Sequence, residues 1–223
     1  PPTEVALAIE PQAPAAPAAM QGAPSVPDGA TAIKGPAARL AQNMTASLGV
    51  PTATSFREIE VATLEARRKE LNAQIEPRKV SFTHLIGWAI VQAARDQRSM
   101  SHYFTEAEGQ AYRVDPGAIN LGLAVDVERK DGSRFLVVPV IKGADAMDFA
   151  AFHARYEELV EAARTNKLSP DDFTGATITL TIPGTLGTTA SVPRLMPNQG
   201  TIVATGTIRS VSPPSGAGRR TAR

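Results

Sequence analysis

The chain has 223 residues and a formal net charge of +1, and 43% of its residues are hydrophobic. This length allows one domain with a tail or two small domains, and the hydrophobic content supplies a sizeable core. The near-neutral charge gives no electrostatic reason to expect binding to nucleic acid or to an anionic membrane. Because there is no cysteine, disulfides, cysteine-based metal sites and thiol nucleophiles are excluded.

The sequence has no apolar run long enough to span a bilayer. Its first residues also lack the basic start and apolar centre of a secretory signal. We therefore expect a cytoplasmic protein without a membrane partner. Residues 1–30 are rich in Ala and Pro, which is typical of a semi-extended linker. Residues 210–223 lack apolar periodicity and predict a disordered tail, which leaves a domain over 31–209.

The first part of this domain predicts two helices separated by a strand. Residues 37–48 predict a helix with one apolar stripe, because large apolar side chains recur every four residues. The stripe consists of Leu40, Met44 and Leu48. Residues 56–61 alternate apolar and polar side chains, which predicts a strand with Phe56 or Ile59 inward. The charged segment 64–75 predicts a second helix, with its few apolar residues on one face.

The middle of the domain combines the most hydrophobic helix with two apolar strands. The segment 81–94 predicts a helix with a broad apolar face. That face consists of Phe82, Leu85, Ile86, Ala89, Ile90 and Ala93. Residues 119–125 and 135–141 predict strands with both faces covered, because nearly every residue is apolar. Asp131-Gly132 between them suits a hairpin turn, and Pro139, which has no N–H, marks an edge, a bulge or a strand end.

The last part of the domain predicts one helix and two strands. Asp145 stands where an N-cap belongs, and an apolar stripe follows at helical spacing. The stripe consists of Phe149, Phe152, Tyr156, Leu159 or Val160, and Ala163. Residues 177–182 alternate between Thr and Ile or Leu, which predicts a strand leading into the Gly-rich turn 183–188. A final strand is predicted at 201–205. Together the elements predict an α/β fold with a mixed sheet.

The three histidines do not form a metal-binding pattern, and we expect no metal site. His84 lies between apolar residues of the predicted helix and is interpreted as a boundary histidine or a satisfied core histidine rather than a catalytic one. His153 neighbours an apolar stripe and is interpreted as a surface or capping residue. His102 follows a helix and is placed to line a cleft, but the sequence shows no partner for it. None of the three is chosen as a general base.

The strand at 177–182 carries three hydroxyls on one face, and Thr181 places the last of them at the strand end. Clefts often form at such positions. A hydroxyl there can donate to an oxyanion, although it cannot by itself deprotonate a thiol. The alternative is that the threonines only fill the strand, because Thr is a good strand former. The pattern alone leaves both interpretations open.

Several blocks of the sequence occur in the order found in a known family. They are KVSFTHLIGWAIVQAA, INLGLAVDV, FLVVPVIKGADAMDF and KLSPDDFTGATITLTIPGTLGTTASVPRLMPNQGTIV. Over about residues 34–209 the chain resembles the catalytic domain of dihydrolipoamide acyltransferases, components of 2-oxo acid dehydrogenase complexes. The versions GPAARLAQNMTASLGVPTATSFREI and TIPGTLGTTASVPRLM are more similar to the succinyltransferase-like domain of actinobacterial multifunctional 2-oxoglutarate dehydrogenase/decarboxylases.

The resemblance implies a chloramphenicol-acetyltransferase-like fold, in which a mixed sheet is flanked by helices, and homotrimers with active sites between subunits. It implies that the substrates are dihydrolipoamide and coenzyme A, between which an acyl group, here succinyl, is transferred. A lipoyl domain and the other components of the complex are the implied partners. Thiamine diphosphate and Mg²⁺ would belong to another part of the parent protein. Thr181 matches the family's oxyanion donor, and Ile182 stands where the family usually has Asn.

In this family the base is a histidine in an Asp-His-Arg-type motif downstream of the last block, and the 223 residues contain no such motif. We therefore expect a chain that is incomplete at its C-terminus and inactive, or marginally active, by itself. Two functions stay open. The chain is either an acyltransferase domain of 2-oxoglutarate metabolism or a non-catalytic module that supports assembly of a 2-oxo acid dehydrogenase complex.

Overall fold

The computed structural model describes residues 26–128, 132 and 134–210. Its α-helices are α1 (Gly35–Ala46), α2 (Ala62–Gln74), α3 (Phe82–Asp96) and α4 (Phe149–Arg164). Its strands are β1 (Tyr103–Ala107), β2 (Gln110–Val114), β3 (Leu121–Leu123), β4 (Val125–Glu128), β5 (Arg134–Val137), β6 (Val140–Ile141), β7 (Ile178–Thr181) and β8 (Thr201–Ala204). Most of the predicted linker at 1–30, and all of the predicted tail at 210–223 except its first residue, lie outside the described residues. None of the described helices is long and apolar enough to cross a membrane.

The central sheet has four strands in the order β6-β3-β7-β8. Strand β3 runs antiparallel to β6 and parallel to β7, and β7 runs parallel to β8. Two antiparallel ribbons, β1-β2 and β4-β5, complete the β structure of the described residues. A mixed sheet combined with helices is the architecture that the sequence predicts.

Helices α3 and α4 pack together against the sheet. Gly87 of α3 permits the close approach, because a Cβ there would lie 3.2 Å from Phe152 of α4 and 3.4 Å from Leu121 of β3. The largest fully buried side chains of this core are Phe152, Ile119, Leu121, Leu123, Ile141, Leu159, Ile178 and Leu180. Burying side chains of this size stabilises the fold by about 1.5–3 kcal/mol each.

The hydrophobic pattern predicts both core helices, but the buried face of α3 differs from the prediction. Ala89 and Ala93, expected inside, are exposed. The face that meets the core instead consists of His84, Gly87, Ile90, Val91 and Ala94. The small glycine decides the orientation, because the helix comes closest to the core where it has no side chain.

The N-cap of α4 is Asp148 rather than the predicted Asp145. An oxygen of Asp148, Oδ1, accepts a hydrogen bond of 2.8 Å from the N–H of Ala151 in the first turn. Asp145 precedes the helix and instead accepts from the N–H of Ile119 at 3.1 Å. Both carboxylates therefore satisfy backbone donors, but only Asp148 caps a helix.

Each of the two predicted apolar strands is divided into two shorter strands. The segment that contains β3 and β4 changes partners after Leu123, and the segment that contains β5 and β6 is interrupted at Pro139. The predicted strand end at Pro139 is confirmed, and its carbonyl accepts from the N–H of Leu123 at 2.8 Å. Of these four strands, only β3 and β6 are covered on both faces, since Leu136 of β5 is 49% exposed.

The predicted strand at 56–61 is wrong. Residues 51–61 lie outside any helix or strand, and Phe56 and Ile59 are exposed. An alternating pattern shows which side chains could face a core, but a strand also needs a neighbouring strand to hydrogen-bond with. Among the described residues, no strand pairs with this segment. Glu58 of this segment forms an ion pair with Arg209. The helix predicted at 37–48 is confirmed as α1 followed by a 3-10 turn, but its apolar stripe is also exposed.

Candidate functional site

Strand β7 occupies the second position from one edge of the central sheet, between two parallel neighbours. Two of its threonine hydroxyls are used inside the fold. Thr177 Oγ1 accepts from the N–H of Asn120 at 3.0 Å, and Thr179 Oγ1 donates to Gln199 Oε1 at 2.7 Å. Both side chains are buried. The threonine face of this segment is therefore not a solvent-exposed surface, as the alternative interpretation from sequence would have it.

Thr181 is the last residue of β7 and is half-buried. Its carbonyl accepts from the N–H of Thr205 at 3.0 Å, which continues the pairing with β8 beyond Ala204. The backbone of Thr181 is thus fixed on one side while its side chain lies at the carboxyl end of the parallel strands. In open α/β sheets, ligands bind outside the carboxyl ends of the strands. Thr181 therefore lies at the carboxyl end of β7, beside the 3-10 turn that follows it.

A 3-10 turn follows Thr181. Residues Pro183–Leu186 form a 3-10 turn that ends at Gly187 with φ of +81°. Gly184 donates its N–H to the Thr205 carbonyl at 3.0 Å, and the N–H of Thr207 donates to the Thr188 carbonyl at 2.9 Å. These two bonds hold the turn against the segment that follows β8, so the backbone on both sides of Thr181 is hydrogen-bonded to that segment.

A cluster of ionisable side chains lies between α3 and α4, away from this turn in the sequence. His84 is buried, and its Nδ1 accepts from the N–H of Ser81 at 3.1 Å while Ser81 Oγ accepts from the His84 N–H, forming a capping box. His84 Nε2 lies 2.8 Å from Glu157 Oε1. Since Nδ1 accepts, Nε2 carries the proton and donates to the carboxylate. This confirms His84 as a satisfied histidine of the core boundary.

Burial lowers the pKa of His84, and the neighbouring His153 ring lowers it further, whereas Glu157 raises it. The rings of His84 and His153 meet edge to face with centroids 4.4 Å apart. His153 Nε2 donates to the Lys79 carbonyl at 3.1 Å, so His153 joins α4 to the loop before α3 rather than capping a helix. Burial also raises the pKa of Tyr156 to about 12.

His84, His153 and Glu157 each bring a possible ligand atom within 4.8 Å of the others, which is a distance that a metal ion can bridge. The hydrogen bonds argue against such a site. A metal at His84 Nε2 would require a proton on Nδ1, where the Ser81 N–H already points. Mg²⁺ in particular prefers oxygen ligands, and two imidazoles do not suit it.

His102 lines a cavity of about 420 Å³ beside the β1-β2 ribbon, as the sequence predicts for a cleft residue. Its Nε2 lies 3.4 Å from Asp115 Oδ2, and Arg98 Nη2 lies 3.6 Å from the other oxygen of that carboxylate. A backbone hydrogen bond from Gly117 is the main reason that the pKa of Asp115 is lowered. Asp115 and Arg98 come from opposite sides of the β1-β2 ribbon, which is why sequence spacing does not reveal this group, and neither ring nitrogen of His102 forms a hydrogen bond within the described residues.

Comparison with protein families shows which family the chain, including the Thr181 region, belongs to. The family model of the 2-oxoacid dehydrogenases acyltransferase (catalytic domain) matches residues 28–218. The chain belongs to this family. The multifunctional 2-oxoglutarate metabolism enzyme of Mycobacterium sp. (strain JLS) is 49% identical to it over 177 residues, which is 78% of this chain. The chain spans only 14% of the length of that relative.

Solved structures of acyltransferase cores are similar to the chain. The dihydrolipoamide acetyltransferase of Azotobacter vinelandii matches with a TM-score of 0.69 and 26% identity, over 87% of this chain and 82% of that one. Its crystallographic study concerns a serine, a histidine and an asparagine in the catalytic mechanism. The cubic core of the pyruvate dehydrogenase multienzyme complex matches with a TM-score of 0.68 and 25% identity, over 87% and 82%. The predicted chloramphenicol-acetyltransferase-like fold is confirmed.

Proposed function

We propose that the chain is an acyltransferase domain that passes a succinyl group between dihydrolipoamide and coenzyme A. The observation that carries this proposal is the match of an acyltransferase catalytic family to residues 28–218, with Thr181 at the carboxyl end of a parallel strand. The succinyl group is chosen because the relative at 49% identity is an enzyme of 2-oxoglutarate metabolism.

The reaction exchanges one thioester for another. The sulfur of the acceptor thiol, after losing its proton, attacks the thioester carbonyl carbon and forms a C–S bond and a tetrahedral oxyanion. Collapse of that intermediate breaks the original C–S bond, and the departing sulfur takes up a proton. In our proposal the Thr181 hydroxyl donates a hydrogen bond to the oxyanion, an interaction typically worth a factor of about 10²–10³ in rate.

The proton of the attacking thiol needs an acceptor. The histidine pair between α3 and α4 is unsuited to this, because His84 uses both ring nitrogens and His153 is bonded through Nε2 to Lys79. We therefore assign no described residue as the base, and Ile182 next to Thr181 offers no side-chain hydrogen bond of the kind an asparagine would. A thiol without a base reacts as the thiolate that solution provides, and its pKa is about 8.5.

A non-catalytic assembly module is the second candidate function. The exposed apolar stripe of α1 favours it, since contiguous apolar surface marks protein–protein contacts. Leu40 and Leu48 on that stripe are 47% and 66% exposed. We propose that this surface meets further copies of the chain in a trimer, and that lipoyl domains and the other components of the complex are its further partners.

The acyltransferase proposal is tested with the 223-residue chain, succinyl-dihydrolipoamide and coenzyme A. The measurement is succinyl-coenzyme A formed over time, by mass spectrometry, at several pH values with matched reactions lacking protein. We expect a protein-dependent rate that is low at neutral pH and rises with the thiolate fraction up to about pH 8.5. A rate equal to the protein-free rate at every pH would favour the assembly module.

A further inference from the structure

A cavity of about 460 Å³ separates the segment after α1 from the segment after the Thr181 turn. Its polar lining comes from Ser47, Thr52, Thr54 and Arg194, and its apolar lining includes Val50 and Leu195. The volume falls within the range of about 300–1,000 Å³ typical of small-molecule sites. Nothing in the function described above uses this cavity.

The lining is cationic and rich in hydrogen-bond donors. Arg194 is the charged residue of the lining, and no acidic residue lines the cavity. Within residues 26–128, 132 and 134–210, Arg194 forms neither an ion pair nor a hydrogen bond. Its guanidinium therefore keeps its donors available, and Thr52 and Thr54 add two hydroxyls. Guanidinium and hydroxyl donors are groups that bind phosphate or carboxylate oxygens.

One wall of the cavity is fixed by a buried residue at the end of α1. Ser47 is 3% exposed, and its Oγ donates to the Met44 carbonyl at 2.6 Å. The carbonyl of Ser47 in turn accepts from the N–H of Val50 at 3.2 Å. These bonds hold the start of the segment that carries Thr52 and Thr54, so this side of the cavity has a defined backbone path.

The opposite wall is continuous with the Thr181 turn. Thr188 ends that turn and its carbonyl accepts from the N–H of Thr207, and Arg194 follows within the same loop. A Cβ on Gly206 would lie 2.9 Å from the Thr189 carbonyl carbon, so this part of the loop packs closely on the segment after β8. The loop that follows Thr181 in the chain therefore also carries Arg194 into the wall of the cavity.

We propose that Arg194, with Thr52 and Thr54, forms an oxyanion-binding subsite for the substrate of this domain. The inference rests on the proposed acyltransferase function, whose two substrates both carry such a group. Coenzyme A carries phosphates at the end of its long pantetheine arm, and a succinyl group carries a carboxylate close to its thioester. The shared chemistry is an oxyanion held by a guanidinium and two hydroxyls.

The test is calorimetric titration of the 223-residue chain with adenosine 3′,5′-bisphosphate, succinate and pantetheine. Pantetheine has the thiol arm of coenzyme A without its phosphates. The variants are Arg194→Gln and Arg194→Lys, with Arg78→Gln as the matched control that removes an exposed arginine outside both cavities. Folding of each variant is checked by thermal unfolding.

We expect Arg194→Gln to weaken the binding of one anion by about 10- to 100-fold, as for the loss of a charged hydrogen bond. Arg194→Lys should lose less, and Arg78→Gln should match the original chain. Loss for adenosine 3′,5′-bisphosphate identifies a phosphate of coenzyme A, and loss for succinate identifies the acyl carboxylate. Binding of both anions that is undetectable, or unchanged in Arg194→Gln, overturns the subsite.

The experiments distinguish failure of the proposed subsite from failure of the proposed acyltransferase function. Succinyl transfer with anion binding unchanged in Arg194→Gln would leave the acyltransferase and remove the subsite. Binding that depends on Arg194, in a chain that neither binds pantetheine nor transfers succinyl, would leave an anion site and remove the acyltransferase.

Discussion

Gly184 lies against the backbone of Gly206, so closely that a Cβ on Gly184 would overlap the Gly206 carbonyl group and lie 2.6 Å from the Thr207 nitrogen. Backbone atoms cannot move aside as a flexible side chain can. We expect Gly184→Ala to lower the free energy of unfolding by about 1–3 kcal/mol, as overpacking does. Urea denaturation of both proteins measures this difference.

Gly49→Ala is the control for that substitution. Gly49 also lies in a turn segment, but a Cβ there would meet nothing within 4 Å. The urea midpoint of the Gly49→Ala variant should match that of the original chain. If Gly184→Ala were equally stable, the contact between the Thr181 turn and the segment after β8 would not be as tight as described.

The His84 hydrogen bonds predict how stability depends on pH. The folded state lowers the pKa of His84, mainly through burial, so between that pKa and about 6.5 the unfolded state binds more protons. The contribution of His84 to stability is therefore complete above about pH 6.5 and is lost as the pH falls below that value. The groups facing His84 are His153, Tyr156 and Glu157 from α4 and Ser81 from its own capping box.

His84→Gln separates this titration from the capping role. Glutamine is common at position N3 of a capping box, which is the position of His84, and its side chain does not titrate. We expect the free energy of unfolding to fall less steeply between pH 7 and pH 5 in His84→Gln than in the original chain, although the variant loses some packing at every pH. Equal slopes in the two proteins would mean that another group controls the acid sensitivity.

Val140 is predicted to be essential to the central sheet. It is 1% exposed and lies opposite Gly122 of β3. Val140→Asp would bury an unpaired carboxylate at a cost of several kcal/mol, and we expect the protein to lose its soluble folded form. Leu136→Asp places the same side chain on the exposed ribbon and should change stability by about 1 kcal/mol or less. Soluble yield and circular dichroism distinguish the two outcomes.

Periodicity predicts the elements that bury a continuous apolar face. Helix α4 and strand β7 follow from sequence because their apolar spacing matches one buried surface. The pattern at 56–61 misleads, since alternation does not reveal whether a neighbouring strand exists. The β1-β2 ribbon is not predicted, because its strands bury no continuous apolar face and its turn at Glu108-Gly109 uses two residues with positive φ.

The candidate site divides in the same way. The position of Thr181 at the end of a strand is predicted from sequence, because a strand and a turn adjoin each other in the chain. The surroundings of His102 are not, since Arg98 and Asp115 come from turns on either side of a ribbon that sequence analysis does not predict. The cavity around Arg194 joins segments more than a hundred residues apart, which no local pattern records.

The exposed stripe of α1 predicts self-association. Leu40, Met44 and Leu48 are 47%, 36% and 66% exposed, and we expect multi-angle light scattering to give a mass that rises with concentration towards that of a trimer. The double variant Leu40→Glu/Leu48→Glu should shift the mass towards the monomer. Gln42→Glu adds a charge on another face of the helix and should not. A monomer at all concentrations of the original chain would remove the proposed contact.

In the proposed reaction the Thr181 hydroxyl stabilises the oxyanion of thioester exchange. The most direct measurement compares Thr181→Val, which keeps the shape but removes the hydroxyl, with Thr181→Ser, which keeps the hydroxyl. Succinyl transfer is measured at about pH 9, where much of the thiol is ionised. We predict that Thr181→Val lowers the protein-dependent rate by about 10²–10³-fold, whereas Thr181→Ser stays within about tenfold of the original chain. An unchanged rate in Thr181→Val, with the fold intact, would contradict the account.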